Sequence, residues 1–509
     1  MALSIVFYIL FAVAVGAALF LGWTMLSTGL LPQQVVIIVT CFMVLVPMIL
    51  FLLQREKKGE NKKKGLRIAG VVLLLFLSIV ELTGLYFFGL AGRSLNKVTD
   101  GQTQIVRVEI FVRGDDNAQE IEYAVESEYR FGTIAYADPE AIQQARQELE
   151  RQYGRQIKVQ SYTSLQELIR ALDEGEIDAL LISSAYITLV DSLEGYEGYA
   201  ESLRSLHASS IQSTVEPRTE PVQRELDPET AQALSDPDLW KDTVCAYVSG
   251  IDTYGPVNAR SRSDVNIMTF INKETKTVLL ISTPRDYYVP FNFVGGPLDK
   301  LTHAGVYGID ASMQALGDYY CLPLDYYVRV NFTGFIDIID TLGGVDVEYD
   351  PNYGGDEFYF QDGKAHMGGK QALKFVRDRH SFIDGDRARG RHQMAVIKGV
   401  IKGLISSKLI TNYAEIMEEL SDSFQTNAPK ALIGELVRLT MDRSKGDWNV
   451  LTYSANGVGT TDYAYSLGAY AYVMIPDEDT IDYARSLVIA VASGETMTQA
   501  EVYANAPKR

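Results

Sequence analysis

VCAYVS (Val244–Ser249), VNIMTFI (Val265–Ile271) and TVLLIS (Thr277–Ser282) are short apolar stretches rich in β-branched and aromatic residues, and polar or charged side chains bound each one. That composition and length predict strands. A fourth stretch, YYVRVN (Tyr326–Asn331), follows, and helical patterns at Ala304–Tyr320, Gly334–Leu342 and Arg389–Ile405 are interleaved with the strands. The alternation predicts an α/β domain, an α-β-α sandwich on one central sheet, over residues 240–494. Asp252 follows the first strand, Arg262 and Asp264 precede the second, and Arg285 and Asp286 close the third after Pro284. A lone strand-end charge is ordinarily solvated or paired. Three neighbouring strands ending alike point instead to a site along one sheet edge.

Upstream lies a second pattern of the same class, at residues 96–208. Ile105–Val112 reads as a strand, and Asp138 and Pro139 read as a cap and first turn of a helix running to Tyr153. Lys158–Tyr162 is strand-like, Leu165–Leu172 an amphipathic helix and Asp178–Ser183 an apolar strand. This accessory α/β domain resembles half of an extracytoplasmic solute-binding fold but shows no ligand-type cluster, which favours a structural or partner-docking role. Residues 209–239, rich in Ser, Thr, Pro, Glu and Asp, read as a linker or extended covering segment, and 495–509 as a C-terminal tail.

At the other end, Ala2–Leu26, Gln34–Leu53 and Ile68–Leu90 are apolar runs long enough to cross a bilayer. The first lacks the basic flank of a signal peptide, so residues 1–95 are expected to be an anchor of three transmembrane helices. The loop at 54–67 carries Arg55, Lys57, Lys58, Lys62, Lys63, Lys64 and Arg67 against Glu56 and Glu60, which places it in the cytoplasm and everything after Leu90 on the extracellular face. Of 46 basic and 65 acidic side chains, 7 and 2 fall before residue 68, leaving 39 against 63, a net −24 for the remainder. So acidic a surface excludes general polyanion binding, nucleic acid included; any anion must be held by clustered arginines. Cys41 lies in the second span, and Cys245 and Cys321 read as buried thiols, although a pair in an exported region stays open.

Walker, His-Glu-x-x-His and Gly-x-Ser-x-Gly signatures are absent, and five histidines are scattered without forming a metal trio. A second charge concentration runs from Arg377 to Gln393. Arg377 and Arg379, two apart, would share one face of an extended segment. In the following helix the stripe of Met394, Ile397, Val400, Ile401 and Leu404 places Gln393 and, at its border, Arg389 toward the interior, while Arg387 and Arg391 point away. Buried guanidinium groups at a helix start are costly without an anion. The competing reading is a salt-bridge network with Asp378, Asp384 and Asp386. Arginine forks with spare carboxylates are what a diphosphate with Mg²⁺ requires.

Taken together, Ser249-Gly250-Ile251-Asp252, Arg262-Ser263-Asp264, Pro284-Arg285-Asp286, Asp299-Lys300-Leu301, Leu342-Gly343-Gly344-Val345-Asp346-Val347, Val376-Arg377-Asp378-Arg379 and Asp386 to Gln393 resemble, in order and spacing, the LytR-CpsA-Psr family. The three spans and accessory domain resemble its capsule-associated CpsA branch. The resemblance implies a cell-wall glycopolymer ligase, mainly of Gram-positive bacteria. Such an enzyme is a phosphotransferase that moves an anionic polymer, such as capsule or teichoic acid, from undecaprenyl diphosphate to a peptidoglycan hydroxyl. It implies Mg²⁺, with Mn²⁺ as substitute, on Asp252 and Asp264. Phosphate-gripping roles fall to Arg262, Arg285, Lys300, Arg377, Arg379, Arg389 and Gln393, and acidic roles in catalysis to Asp286 and Asp386. Gly390 separates Arg389 from Arg391 here, so nothing is carried over to Arg387 or Arg391. Expected partners are the lipid-linked polymer, peptidoglycan, the cytoplasmic membrane and capsule or wall biosynthesis proteins. The prenyl chain needs an apolar slot, and Ala304–Tyr320, Gly334–Leu342 and the helix after Arg389 are its candidate walls. Two rival readings use the same residues: a prenyl diphosphate phosphatase, and a regulator or scaffold that binds lipid precursor without turnover.

Overall fold

The computed structural model describes residues 2–54, 64–99, 103–214, 226–253, 256–349, 363–378, 386–404, 416, 418, 420–442, 444 and 446–507, which fall into two compact bodies. In the first, Ala2–Thr28, Gln33–Gln54 and Lys64–Val98 are helices, each containing a segment long and apolar enough to cross a membrane: Ile5–Thr28, Gln33–Leu53 and Ile68–Val98. Ile9, Phe20, Ile38, Phe42 and Phe76 point outward, as lipid-facing side chains do. The basic loop falls largely outside the described residues. The same body includes the helix Lys430–Met441, whose Arg438 guanidinium donates to the Gly29 carbonyl. Gly434 is required there, because a Cβ would lie 2.4 Å from that carbonyl oxygen.

The second body holds two sheets. Strands β1 (Thr103–Arg113), β2 (Phe131–Ile134), β3 (Val159–Tyr162), β4 (Ala179–Ser183) and β5 (Leu203–Thr214) form a five-stranded sheet in the order β3-β2-β4-β1-β5. The helix Pro139–Tyr153 buries Ala141, Ile142, Ala145 and Leu149 against Val106, Val108 and Ile110 of β1. Leu165–Asp173 buries Leu168, Ile169 and Leu172 in a separate cluster that extends to Ala464, Leu467 and Ala469. Two expectations need correction. Strand β5 runs to Thr214 and a helix occupies Pro228–Ser235, so the stretch read as a linker is partly structured. Asp138 makes no side-chain cap bond to its helix and sits in the left-handed region, φ 49 and ψ 49.

Strands β6 (Thr243–Ile251), β7 (Ser263–Asn272), β8 (Thr277–Thr283), β11 (Tyr326–Val330), β14 (Phe424–Thr426) and β15 (Asn449–Ser454) form the central sheet, ordered β14-β11-β6-β7-β8-β15. Alternate residues of β6–β8 feed opposite faces. Tyr247, Met268, Phe270, Leu279 and Ile281 meet the helices Ile309–Tyr320 and Glu478–Ala492, while Ile267, Val278 and Leu280 meet Met394 and Ile397 of Asp386–Leu404. Helices on both faces of one sheet make the α-β-α sandwich. Hairpins β9 (Tyr288–Pro290) with β10 (Leu298–Lys300), β12 (Val345–Glu348) with β13 (Lys364–Met367), and β16 (Gly457–Ala464) with β17 (Ala469–Pro476) flank it. The helical pattern at Ala304–Tyr320 is broken at Gly308, φ +138; all but one residue from Ile309 to Tyr320 is buried, and Ile309, Met313, Leu316, Tyr319 and Tyr320 join the main core. The segment read as a tail includes the helix Gln499–Ala504, where Gln499 bonds the Thr452 amide at 2.8 Å. Cys245 is a buried free thiol and Cys321 a partly exposed one.

Candidate active site at one edge of the central sheet

Register brings the strand-end charges together. β6 and β7 are antiparallel with Ile251 opposite Ser263, and β7 and β8 are antiparallel with Asn266 opposite Thr283. The end of β6, the start of β7 and the end of β8 therefore share one edge, and so do Asp252, Arg262, Asp264, Arg285 and Asp286. Asp252 Oδ1 accepts from Ser261 Oγ at 3.0 Å, and its Oδ2 pairs with Arg262. Asp264 Oδ2 accepts from Arg285 Nη1 at 2.7 Å, and Oδ1 from Thr302 Oγ1 at 3.1 Å. Arg285 Nε lies 3.6 Å from Asp286 Oδ2, and Asp286 Oδ1 lies 3.7 Å from Lys300 Nζ at the end of β10. Neither hydroxyl was singled out from sequence, since a Ser or Thr beside a charge carries no pattern of its own.

These side chains are largely withdrawn from water, with Arg262 and Arg285 20% and 16% exposed and Lys300 9%. Burial lowers the Lys300 pKa below the ordinary lysine value; Asp286 opposes that shift, and the positive charges of Arg285 and Arg262 add to it. A further anion would relieve all three cations at once. Lys300 is itself held in place by Asp299, whose Oδ1 accepts the Lys300 amide at 2.7 Å and contacts His303 Nδ1 at 2.7 Å.

The second charge concentration differs from the expected form. Arg377 ends the helix Gly369–Arg377, in which Ala372, Leu373, Phe375 and Val376 are buried, so it is exposed at a helix terminus and not part of an extended pair. Its guanidinium lies 4.6 Å from the Phe332 ring centroid, and the Phe332 amide donates to Thr253 O at 3.2 Å, next to Asp252. Arg379 and Asp384 lie outside the described residues, as do the side chains of Asp386 and Arg389. The backbone there is placed: a Cβ at Gly390 would be 4.0 Å from Ser282 Oγ of β8, so the first turn of Asp386–Leu404 sits near the strand end that leads to Arg285. Gln393 and Arg391 are both half-buried, so Arg391 does not point fully away. His392 is fully buried, stacked on Phe375 at 4.3 Å and edge-on to Tyr349 at 4.7 Å.

Among the described residues no three His, Cys, Asp or Glu side chains converge as metal ligands. Asp252 and Asp264, 15% and 22% exposed, offer two carboxylates with lone pairs to spare. That donor set fits Mg²⁺, which takes one or two carboxylates and completes its shell with phosphate and water, and does not fit structural zinc.

The LytR_cpsA_psr family model matches residues 207–479. A Bacillus cereus protein named polyisoprenyl-teichoic acid–peptidoglycan teichoic acid transferase TagU is 32% identical over 222 residues, 43% of this chain and 71% of that protein. Its namesake from Oceanobacillus iheyensis is 30% identical over 278 residues, 53% of this chain and 83% of that protein. The crystal structure of B. subtilis TagV superposes with 26% identity and a TM-score of 0.40, covering 50% of this chain and 99% of TagV. With over half of its residues matched by the family model, and the strand-end motifs inside the matched region, the chain belongs to the LytR_cpsA_psr family.

Proposed function

We propose that this protein is a membrane-anchored phosphotransferase that moves an anionic glycopolymer, such as teichoic acid or capsule, from undecaprenyl diphosphate to peptidoglycan. The observation that carries the reading is the largely buried row of alternating charges Arg262–Asp252 and Asp264–Arg285–Asp286–Lys300 at one sheet edge, of which Asp286 and Lys300 are the most fully withdrawn. The TagU relatives, whose names state transfer of teichoic acid from a polyisoprenyl carrier to peptidoglycan, support it.

Arg262, Arg285 and Lys300 bind the non-bridging oxygens of the diphosphate. Asp264 and Asp286 hold Arg285 from two sides, so its fork is aimed before substrate arrives and little reorganisation is needed. Asp252 and Asp264 would hold Mg²⁺, with Mn²⁺ as substitute; when bound, the ion neutralises charge on the phosphate oxygens. Arg377, Arg379, Arg389 and Gln393 complete the phosphate grip, and Asp386 an acidic role, by motif position. The peptidoglycan hydroxyl attacks the sugar-side phosphorus, the bridging P–O bond breaks, and undecaprenyl phosphate leaves. Half-buried Phe335, Ile336 and Leu342, packed with Val400 against the cluster around Ile339 and Phe375, are candidates for prenyl contact. The basic loop at 54–67 supports a site on the extracellular face.

The test uses the full chain in nanodiscs with a polymer-linked undecaprenyl diphosphate, Mg²⁺ and a peptidoglycan oligomer. Mass analysis should find the polymer joined to the oligomer through a phosphodiester, together with undecaprenyl phosphate. Release of free phosphorylated polymer regardless of acceptor would make the protein a diphosphatase, and binding without turnover would make it a scaffold.

A further inference from the structure

Residues 256–262, the part of the connection from β6 to β7 that carries Ser261 and Arg262, are not held by the central sheet alone. The start of β1 lies alongside them. The Ile105 amide donates to Asn258 O at 3.0 Å and the Arg260 amide donates to Ile105 O at 3.1 Å, so Ile105 and Ala259 form a parallel bridge. The Arg260 guanidinium pairs with Asp138 at the start of the helix Pro139–Tyr153; the two side chains are 11% and 8% exposed. Arg260 also reaches Ser213 Oγ of β5 at 3.4 Å. On the other side of the bridge Gln104 is fully buried. Its Oε1 accepts from the Ile309 amide and from Arg329 Nη2, each at 3.1 Å, and its Nε2 donates to Asp310 Oδ1 at 3.1 Å. Arg329 in turn donates to Ala259 O at 3.5 Å.

Two features of Asp138 show where its carboxylate is committed. It precedes a helix, where aspartate ordinarily caps the first turn, yet it makes no such bond. Its left-handed backbone, uncommon for a residue with a side chain, turns the carboxylate to Arg260, 122 residues away. Burying Arg260 without that partner would be costly. The residues next along the loop are Ser261 and Arg262, which bond the two oxygens of Asp252.

We propose that Asp138 and Gln104, both outside the family-matched residues 207–479, are positioning residues of the transfer site, fixing the loop 256–262 so that Ser261 and Arg262 present Asp252 correctly. The accessory sheet is then a working part of the site and not only a docking module. This inference rests on reading the Asp252–Asp264 edge as the transfer site.

The full chain in nanodiscs is compared as wild type, Asp138→Asn, the charge swap Asp138→Arg with Arg260→Asp, and Asp264→Asn. Misplacing catalytic groups by about 1 Å costs up to roughly 10²-fold. Asp138→Asn should accordingly lower kcat by about tenfold or more at saturating substrate, with a smaller effect on KM, and shift the Mg²⁺ titration midpoint upward. Hydrogen exchange should speed at the Ile105 and Arg260 amides while the centre of β1 stays protected. The charge swap should restore both exchange and turnover in part. If activity falls only in proportion to the folded fraction, or if Asp138→Asn matches wild type in turnover, metal midpoint and exchange while Asp264→Asn is inactive, the proposal is overturned and the site reading stands. If Asp264→Asn is as active as wild type, the site reading fails and this inference with it.

Discussion

Arg285→Lys separates the two things the Arg285 guanidinium does. Its Nη1 donates to Asp264 at 2.7 Å while its Nε lies 3.6 Å from Asp286, so one planar fork spans two carboxylates at the sheet edge. A lysine keeps the charge but is a single point donor. Losing a donor aimed at developing phosphate charge is typically worth about 10²–10³ in rate, or ~2.7–4 kcal/mol. Breaking a fully buried pair by removing one partner costs ~3–5 kcal/mol of stability. Here the penalty is smaller: the two side chains are 16% and 22% exposed, Thr302 still donates to Asp264, and the positive charge is retained. About 1 kcal/mol is expected, equivalent to roughly 2–4 °C in Tm for a domain of this size. Arg285→Ala, which removes the cation shared by Asp264 and Asp286 and leaves them to Thr302 and Lys300, should approach ~3 kcal/mol. Single-turnover transfer from a lipid diphosphate and thermal melting on the same preparations give the two quantities. A lysine variant that melts many degrees lower, yet whose folded fraction turns over at the wild-type rate, would show that Arg285 is structural and refute the phosphate grip.

Burial, reinforced by the Arg391 charge, holds the His392 pKa at about 4, below the ordinary 6.5. The unfolded chain takes up a proton the folded one refuses, so stability should be full above pH 6.5 and fall by about 3 kcal/mol as pH drops to 4. His392→Phe should flatten that part of a urea-unfolding pH series, and an unchanged slope would refute the assignment. Asp264→Asn should weaken the Mg²⁺ dependence of transfer and, because it also neutralises the partner of Arg285, lower Tm by a few degrees; an identical metal titration would remove Asp264 as a ligand. A cysteine probe near Ser209 should label in intact cells and one in the 54–67 loop should not, and the reverse pattern would invert the topology.

The strands of the central sheet could be read directly because β6, β7 and β8 are dense in β-branched and aromatic residues. Their terminal charges then needed only antiparallel register to converge. The two-residue spacing of Arg377 and Arg379 suggests an extended pair, but the helical spacing of Ala372, Phe375 and Val376, which the structure buries together, decides the conformation of Arg377. Gly308 was absorbed into a helix pattern whose apolar residues continue across it, although its positive φ breaks the helix. Asp138 followed local capping rules and lost them to a partner 122 residues away, a contact no local pattern encodes. The same limit hid Gln104, Arg260 and Arg329, isolated polar residues in strands and loops until two sheets are brought side by side.

Under the proposed transfer reaction, charge balance argues for a metal at this edge. Asp252, Asp264 and Asp286 are matched by Arg262, Arg285 and Lys300, so the described cluster is neutral as it stands. A diphosphate diester brings about two negative charges into a site whose cations are already paired, and a medium of low dielectric penalises that excess heavily. Arriving with Mg²⁺ it brings none. Asp252 and Asp264 would hold the ion, whose charge would offset that of the diphosphate and leave Arg262 and Arg285 to donate to its oxygens. Arg377, exposed at its helix end, is the one cation of the proposed phosphate grip among the described side chains that stays in water, so its charge adds to the site without the burial cost that Arg262, Arg285 and Lys300 carry.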